Sequence, residues 1–431
     1  MKSVCVLLQN HYEIDLRVRR KAEALVSAGY RVDVLALRSP YSKASHYSLN
    51  GVDVYTFSLG RKRGSVGRYA FEYVIFSLWA LFKLSSLMEK RHYAVIDVNN
   101  LPDFLVFAGV YAKWRRAKIL LDMHEIAPEF FASKYQVRAD SMLVRFLKYV
   151  EKRSFDFADH VLTINQPIED LLVSRGLSRS KSTIIMNSVD EAFFSSVPDT
   201  SGSSDAWAQS EKTFVMMYHG TLTHLYGLDI AIEAFAMAHH QMRGAEFWIL
   251  GSGPAKDSLE SLARRLGLGV KVKFLGVVLP DEIPRWLKRC DIGVLATRQD
   301  TFLDLSFSGK LSEYIIMNKA VICSRLKTIG RYFSDEALAF FEPSNPADLA
   351  KQMVSMYGDM ARRLRLAETA KREYLPIRWG VMKERYLKVM EHLSGGSVAE
   401  RESDHNGSNS AEAVCRLSER GRLDKRITTR R

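Results

Sequence analysis

The residues best suited to chemistry stand just behind short apolar runs. In DMHEIAPEF (122–130), Asp122, His124, Glu125 and Glu129 fall in one predicted loop after a strand ending at Leu121. A histidine beside carboxylates at a strand terminus can donate a hydrogen bond or shuttle a proton near a substrate. The plainer reading is a satisfied structural histidine in a polar turn. In NNLPDFLVF (99–107), Asn99, Asn100 and Asp103, with Asp97 just before them, mark a polar turn that helix capping explains. Pro102 there suits a first helical turn.

YHGTLTHLYGLD (218–229) sets Gly220 behind a strand and Gly227 ahead of a helix, and LGSGP (250–254) repeats the arrangement with Gly251 and Gly253. Glycine lets a backbone approach phosphate, and a helix N-terminus adds unpaired N–H groups and the positive end of its dipole. A single glycine turn is weak, since most hold no ligand; here two strand-end turns share one domain. The most informative stretch is ATRQDTFLDLSFSGKLSEYIIMNKAVICS (296–324), a polar loop followed by a helix from about Gly309. Lys310 and Glu313 are three apart and project from one helical face. A glutamate one turn into a helix can grip the vicinal hydroxyls of a ribose while the helix N-terminus faces phosphate. As plain structure the two would be a surface ion pair of little weight.

Strands separated by helices must position these groups. The patterning predicts strands at 3–9, 31–37, 52–57, 94–98, 117–122, 159–164 and 182–186, with helices at 15–28, 66–90, 101–116, 139–157 and 166–176. After the Ser- and Gly-rich stretch 195–212, a second alternating series starts at 213 and runs to helical patterns at 346–373 and 377–393. Alternation of this kind implies βαβ units and parallel sheets covered on both faces. Ligands then bind outside the carboxyl ends of the strands, where the candidate residues fall.

Size agrees with two such domains: the chain has 431 residues, and roughly 150 per domain is ordinary. An apolar share of 47% and a charged share of 26% exclude wholesale disorder and fibrous architectures. Four scattered cysteines without a C-x-x-C pair argue against a disulfide scaffold or a cysteine-based zinc site and fit a reducing compartment. MKSVCVLLQN reads as a first strand rather than a secretory signal. The longest charge-free apolar run, Tyr73 to Phe82, is about half the ~20 residues needed to cross a bilayer, so no transmembrane helix is expected. The net charge of +13 is concentrated: Arg17 to Arg91 holds 14 Lys/Arg against 5 Asp/Glu. Beside the aromatic helix 69–88, that excess suits an anionic membrane surface, although a solvated face plus a core helix would look alike. Nucleic acid is not expected, because no recognisable binding motif accompanies the charge. Residues 394–431 read as a disordered tail with a basic end.

The ordered succession of DLRVRRKAEALVSAGYRVDVLAL, NNLPDFLVFAGVYAKWRRAKILLDMHE, NSVD (187–190), YHGTL…YGLD, LGSGP, VKFLG and LSFSGKLSEYIIMNKAVICS resembles the retaining glycosyltransferases of family 4, over about residues 1–393. The resemblance implies the α/β GT-B architecture, two doubly wound Rossmann-like domains facing across a cleft. It divides the chain into an acceptor-side domain (1–194), a linker (195–212), a nucleotide-sugar domain (213–376) and a helix (377–393) returning to the first domain. It implies His124, Lys310 and Glu313 as catalytic residues, with Gly220, Thr221, Gly251, Gly253, Asp304, Lys310 and Glu313 binding the donor. Asn10, Asp15, Arg17, Asn100, Asp122 and Glu125 are implied on the acceptor side. Three departures stand out: Leu305 where the first glutamate of a pair seven residues apart falls, Ser308 where proline is common, and Thr221, Leu225 and Tyr226 where basic residues usually neutralise diphosphate. Glu125 also stands where aspartate often follows the histidine.

The resemblance implies transfer of a sugar from a nucleotide-diphosphate sugar to an acceptor with retained anomeric configuration, and the basic, aromatic region 61–88 suggests a lipid-linked glycan in surface polysaccharide or glycolipid assembly as the acceptor. No metal or other cofactor is expected, and the expected location is the cytoplasm, peripheral on the inner face of the cell membrane. Two rivals remain at this stage: a catalytically impaired relative serving as a membrane-bound partner, and a nucleotide-sugar epimerase.

Overall fold

The computed structural model describes residues 1–39, 44–59, 66–135, 137–138, 140–195 and 213–395. Most of the predicted linker, the basic run at 61–65 and the tail beyond 395 lie outside the described residues. Ser195 is the last residue of a short helix rather than the first of the linker.

The first lobe is an eight-stranded sheet. Its strands are β1 (Ser3–Leu8), β2 (Arg31–Leu37), β3 (His46–Leu49), β4 (Val52–Phe57), β5 (Tyr93–Asn99), β6 (Lys118–Met123), β7 (His160–Thr163) and β8 (Ser182–Ile184). They lie in the order β3-β4-β2-β1-β5-β6-β7-β8, all parallel except β3. Runs such as VCVLL are buried on both faces, as a parallel sheet clad by helices requires. The chain reverses direction across the sheet at β1 and β5, leaving a crevice beyond their carboxyl ends.

The helices of this lobe are α1 (Leu16–Ser27), α2 (Val66–Met88), α3 (Val110–Trp114), α4 (Ala127–Tyr135), α5 (Met142–Phe157), α6 (Gln166–Ser174) and α7 (Glu191–Ser195). Asp15, Ser141 and Asn165 cap α1, α5 and α6 by accepting a backbone N–H three residues on. Two predicted spans are corrected. Residues 101–116 form a 3-10 turn over Asp103–Gly109 followed by the short α3, and Gly109 lies where an added Cβ would stand 2.8 Å from Ile119. The predicted loop at 122–130 is the end of β6, a brief turn and the start of α4, because Pro128 sits in a first helical turn and Phe131 is buried. The expectation of no bilayer-length helix is also amended: Gly67–Met88 is long and apolar enough by length and composition. In this fold Phe76, Ala80, Leu84 and Leu87 of that helix are buried in the core of the lobe.

The second lobe carries six parallel strands, β9 (Phe214–His219), β10 (Ala245–Leu250), β11 (Val272–Gly276), β12 (Ile292–Leu295), β13 (Ala320–Ser324) and β14 (Ala339–Phe341), in the order β11-β10-β9-β12-β13-β14. Its helices are α8 (Leu228–Ala238), α9 (Lys256–Arg265), α10 (Ile283–Arg289), α11 (Gly309–Ile316) and α12 (Lys327–Tyr332), then α13 (Pro346–Gly358) and α14 (Met360–Tyr374). The predicted single helix at 346–373 breaks at Asp359, whose side chain caps α14. Here the reversal lies between β9 and β12, beside Gly220. The final helix, α15 (Trp379–Leu393), returns to the first lobe, where Tyr386 donates to buried Asp97 at 2.8 Å and Arg20 lies over Trp379.

Candidate functional site

At the crevice of the first lobe the strand ends supply the polar groups. Asn10 follows β1, Asn100 follows β5 and His124 follows β6. Asn100 fixes the histidine loop, its Oδ1 accepting the backbone N–H of His124 at 3.1 Å and of Glu125 at 3.2 Å. Asn10 and Arg17 both donate to Asp15. Burial would raise the Asp15 pKa, but Arg17, His124 and Asn10 hold it down to about 2. Asn10, Asp15, Arg17, Asn100, His124 and Glu125 line one cavity of about 230 Å³, together with Tyr69, Tyr73 and Phe130.

Burial and the nearby Arg17 guanidinium lower His124 to about 3, so its imidazole is neutral at physiological pH. Among the described residues its ring nitrogens bond to none. It can therefore donate or accept a hydrogen bond in the cleft without acting as a cation. Burial raises Glu125 against the opposing pull of Arg17.

Asp122 is a correction. It is buried on β6 and ion-paired with Lys21, which also reaches Asn99 at 3.1 Å and Asp97 at 3.9 Å. Together with Tyr386 these groups form a satisfied polar cluster beneath the cavity, and Asp122 does not line it. Asp122 lies within β6 under Lys21 of α1, which takes up its carboxylate, whereas His124 stands past the strand end, hence the difference. Glu129 also points away, to an ion pair on α4 with Arg175, which holds Glu151 at 3.1 Å as well.

In the second lobe three strand-end loops are strapped together. Gly220 N donates to Leu250 O at 2.9 Å, Gly251 N to Gly276 O at 2.6 Å and Leu222 N to Ser252 O at 3.0 Å. Gly220 and Gly251 have φ of 129° and 131°, and a Cβ on Gly251 would collide with the Gly220 carbonyl, so both positions demand glycine. A Cβ on Gly253 would meet Leu222 O. Thr221 is exposed beside this platform, and its carbonyl accepts from the Tyr218 hydroxyl at 2.9 Å.

Facing the platform is the N-terminus of α11. Ser308 provides no side-chain cap, which leaves first-turn N–H groups available. Lys310 lies against Gly220 with its ammonium 4.2 Å from the Tyr226 ring centroid. It forms no salt bridge among the described residues. Burial pulls its pKa below the usual lysine range, and Glu313 opposes that. One Glu313 oxygen is 2.6 Å from His219 Nε2, and the His219 Nδ1 is 3.1 Å from the Tyr314 hydroxyl, which donates to Met217 O at 2.7 Å. Sequence reasoning missed this chain; a histidine ending a strand with a Glu-Tyr pair on a later helix was its only sign.

Asp304 is the second correction. Its carboxylate accepts from Gln299 and from Lys327 N, where it caps α12 instead of facing a donor. A second cavity of about 120 Å³ joins the lobes: Arg17, His124, Glu125, Ile126, Ile164, Ile168 and Asn187 meet Phe302, Ser306 and Phe307, the residues leading into α11. Lys310 and Glu313 are not among its lining residues and stand on the helix that follows. Across the cleft, burial and then Glu125 raise the Tyr226 pKa, and the ring of Tyr226 lies against Lys310. Leu305 packs against the core of the first lobe, and its carbonyl accepts from Asn165 at 2.8 Å.

Two Rossmann-like sheets with a polar cleft between their strand ends define a GT-B glycosyltransferase architecture. The solved structures agree: a sucrose-phosphate synthase from Thermosynechococcus elongatus superposes with a TM-score of 0.72 at 17% identity, covering 92% of this chain and 100% of that one. Anabaena HepE in complex with UDP gives 0.66 at 17%, covering 91% and 100%. An uncharacterized glycosyltransferase of Methanocaldococcus jannaschii is 22% identical over 362 residues, 82% of this chain and 87% of its own length. Glycosyltransferase Family 4 matches residues 16–193 and Glycosyl transferases group 1 matches residues 213–359, one on each lobe. The chain belongs to the family 4, group 1 type of GT-B glycosyltransferases, and it is an enzyme of glycosyl transfer.

Proposed function

We propose that this glycosyltransferase moves a sugar, with retention of anomeric configuration, from a nucleotide-diphosphate sugar to a hydroxyl of a lipid-linked glycan at an anionic membrane surface, as in surface polysaccharide or glycolipid assembly. The observation that carries the donor assignment is Lys310, a desolvated ammonium without a salt bridge among the described residues, held between Gly220 and Tyr226 at the open end of α11. It stands beside the turn where Thr221 and Tyr226 replace the usual basic pair, so the positive charge comes from a different element. A relative in fold, Anabaena HepE, has been seen with UDP, which supports a nucleoside diphosphate as the ligand class.

In this reading the diphosphate rests against Lys310, the glycine platform and the first N–H groups of α11, with Glu313 on the ribose. As the bond from anomeric carbon to phosphate oxygen breaks, charge grows on the leaving diphosphate, and fixed dipoles and one cation aimed there lower the barrier. The acceptor hydroxyl enters from the first-lobe cavity on the same face of the sugar, and its proton passes to the departing oxygen. Neutral His124 hydrogen-bonds the transferred sugar, and Arg17 and Asp15 orient the acceptor. The reaction so drawn uses no metal.

Incubation with a panel of nucleotide sugars tests the reading, with free nucleotide measured with and without membrane lipid extract. One sugar should release nucleotide faster with lipid, and the product should keep the donor's anomeric configuration. An epimerised sugar without release, or no turnover of any donor, contradicts it.

A further inference from the structure

The outward faces of three helices in the first lobe are unusually apolar. On α2, Phe71, Val74, Leu78 and Phe82 recur every three or four residues on the side opposite its buried face, and Phe82 is 70% exposed. On α3, Trp114 is 75% exposed. On α5, Phe146 and Tyr149 are 60% and 62% exposed, beside Met142. All three helices clad the same face of the sheet, since buried residues of each join one core, with the 103–109 turn between α2 and α5. Soluble surfaces expose such side chains singly, and a contiguous field of them marks an interaction site.

Cations rim this field. Arg116, Arg145 and Lys148 form no salt bridge among the described residues. The exposed acids Glu89 and Asp156 are already paired, with Arg115 at 3.0 Å and with Arg153 at 3.6 Å. We propose that the combined outer face of α2, α3 and α5 docks on an anionic lipid bilayer, with the aromatic side chains at headgroup depth and the basic ones on lipid phosphates. The proposal rests on the membrane reading above and assigns its surface. It brings in α3 and α5, which lie outside the basic stretch between Arg17 and Arg91.

Two features favour lipid over a protein partner. Exposed aromatics beside Arg116, Arg145 and Lys148 match the headgroup region of an anionic bilayer, where amphipathic rings and basic side chains both find partners. The first turns of α2 also serve both sides: Tyr69 and Tyr73 line the acceptor cavity, while Phe71 and Val74 face outward. Docking this face sets the cavity beside the bilayer, where the head of a lipid-linked acceptor emerges.

The test is flotation of the full chain with phosphatidylcholine vesicles, with and without phosphatidylglycerol. The protein should float with the anionic vesicles at low salt. Binding should fall by about tenfold or more in the Phe146→Glu/Tyr149→Glu and Arg145→Glu/Lys148→Glu variants. Val270→Glu, at an exposed site on the other lobe, should behave as wild type. Unchanged melting temperatures show that the variants fold. If wild type floats and the α5 variants float equally well, the surface is wrong and the membrane reading survives. No flotation of wild type removes both. Equal binding to neutral vesicles overturns the anionic partner, and a dimer in solution that Phe146→Glu dissociates assigns the face to a second copy instead.

Discussion

In the proposed mechanism Lys310, Glu313 and His124 carry the chemistry. Burial lowers the Lys310 pKa in the free protein, and a bound diphosphate would raise it. Binding therefore takes up a proton between the free and bound pKa values, and affinity for a nucleoside diphosphate should weaken as pH rises through that window. Calorimetry in buffers of differing ionisation heat reads the uptake directly; pH-independent affinity contradicts the role. His124→Ala should cost on the order of 10²-fold in kcat, as expected for a lost transition-state hydrogen bond, with little change in diphosphate affinity. A comparable loss of affinity would move His124 from the sugar to the nucleotide. Leu305→Glu restores the usual residue type but buries a carboxylate against the apolar core of the first lobe, so it should lower stability by about 1–3 kcal/mol in thermal unfolding and raise no activity. Gly220, Gly251 and His124 were legible from their places behind strands. Lys310 as the replacement for a missing cation was only half legible, because its contact with Tyr226 joins distant segments. Asp122 and Asp304 misled because a carboxylate near a motif looks the same whether it faces a ligand, an ion pair or a helix end.

At the scale of elements, the parallel strands and long helices were readable because continuous apolar runs and helical periodicity are strong signals. The short β3, β14 and α4 were not, since three to nine residues give little periodicity and their packing is tertiary. α15 is the telling case: its amphipathic pattern was plain and the resemblance returned it to the first domain, but the residues that receive it there, Asp97 and Arg20, were not readable. Tyr386→Phe would leave buried Asp97 without its 2.8 Å hydrogen bond and should cost about 1–3 kcal/mol, read from denaturant unfolding. An unchanged midpoint would mean that α15 is held by apolar contacts alone.

For the whole molecule, polar bonds and apolar contacts join the lobes around the cleft: among the described residues Ser133 bonds Asp300 at 3.0 Å, Asn165 bonds Leu305 O at 2.8 Å and Gln166 N bonds the Tyr332 hydroxyl at 2.9 Å, while Phe130 packs on Phe302 and Leu305 on the first-lobe core. The proposed mechanism divides the labour between the lobes, nucleotide on one and acceptor on the other, and the most direct measurement separates them. Nucleoside diphosphates should be titrated into wild type, Lys310→Met and His124→Ala, with turnover assayed in parallel. The account predicts that one diphosphate binds wild type, binds Lys310→Met about tenfold or more weakly, and binds His124→Ala normally although turnover is lost. Equal binding by wild type and Lys310→Met, or full turnover without His124, would contradict it.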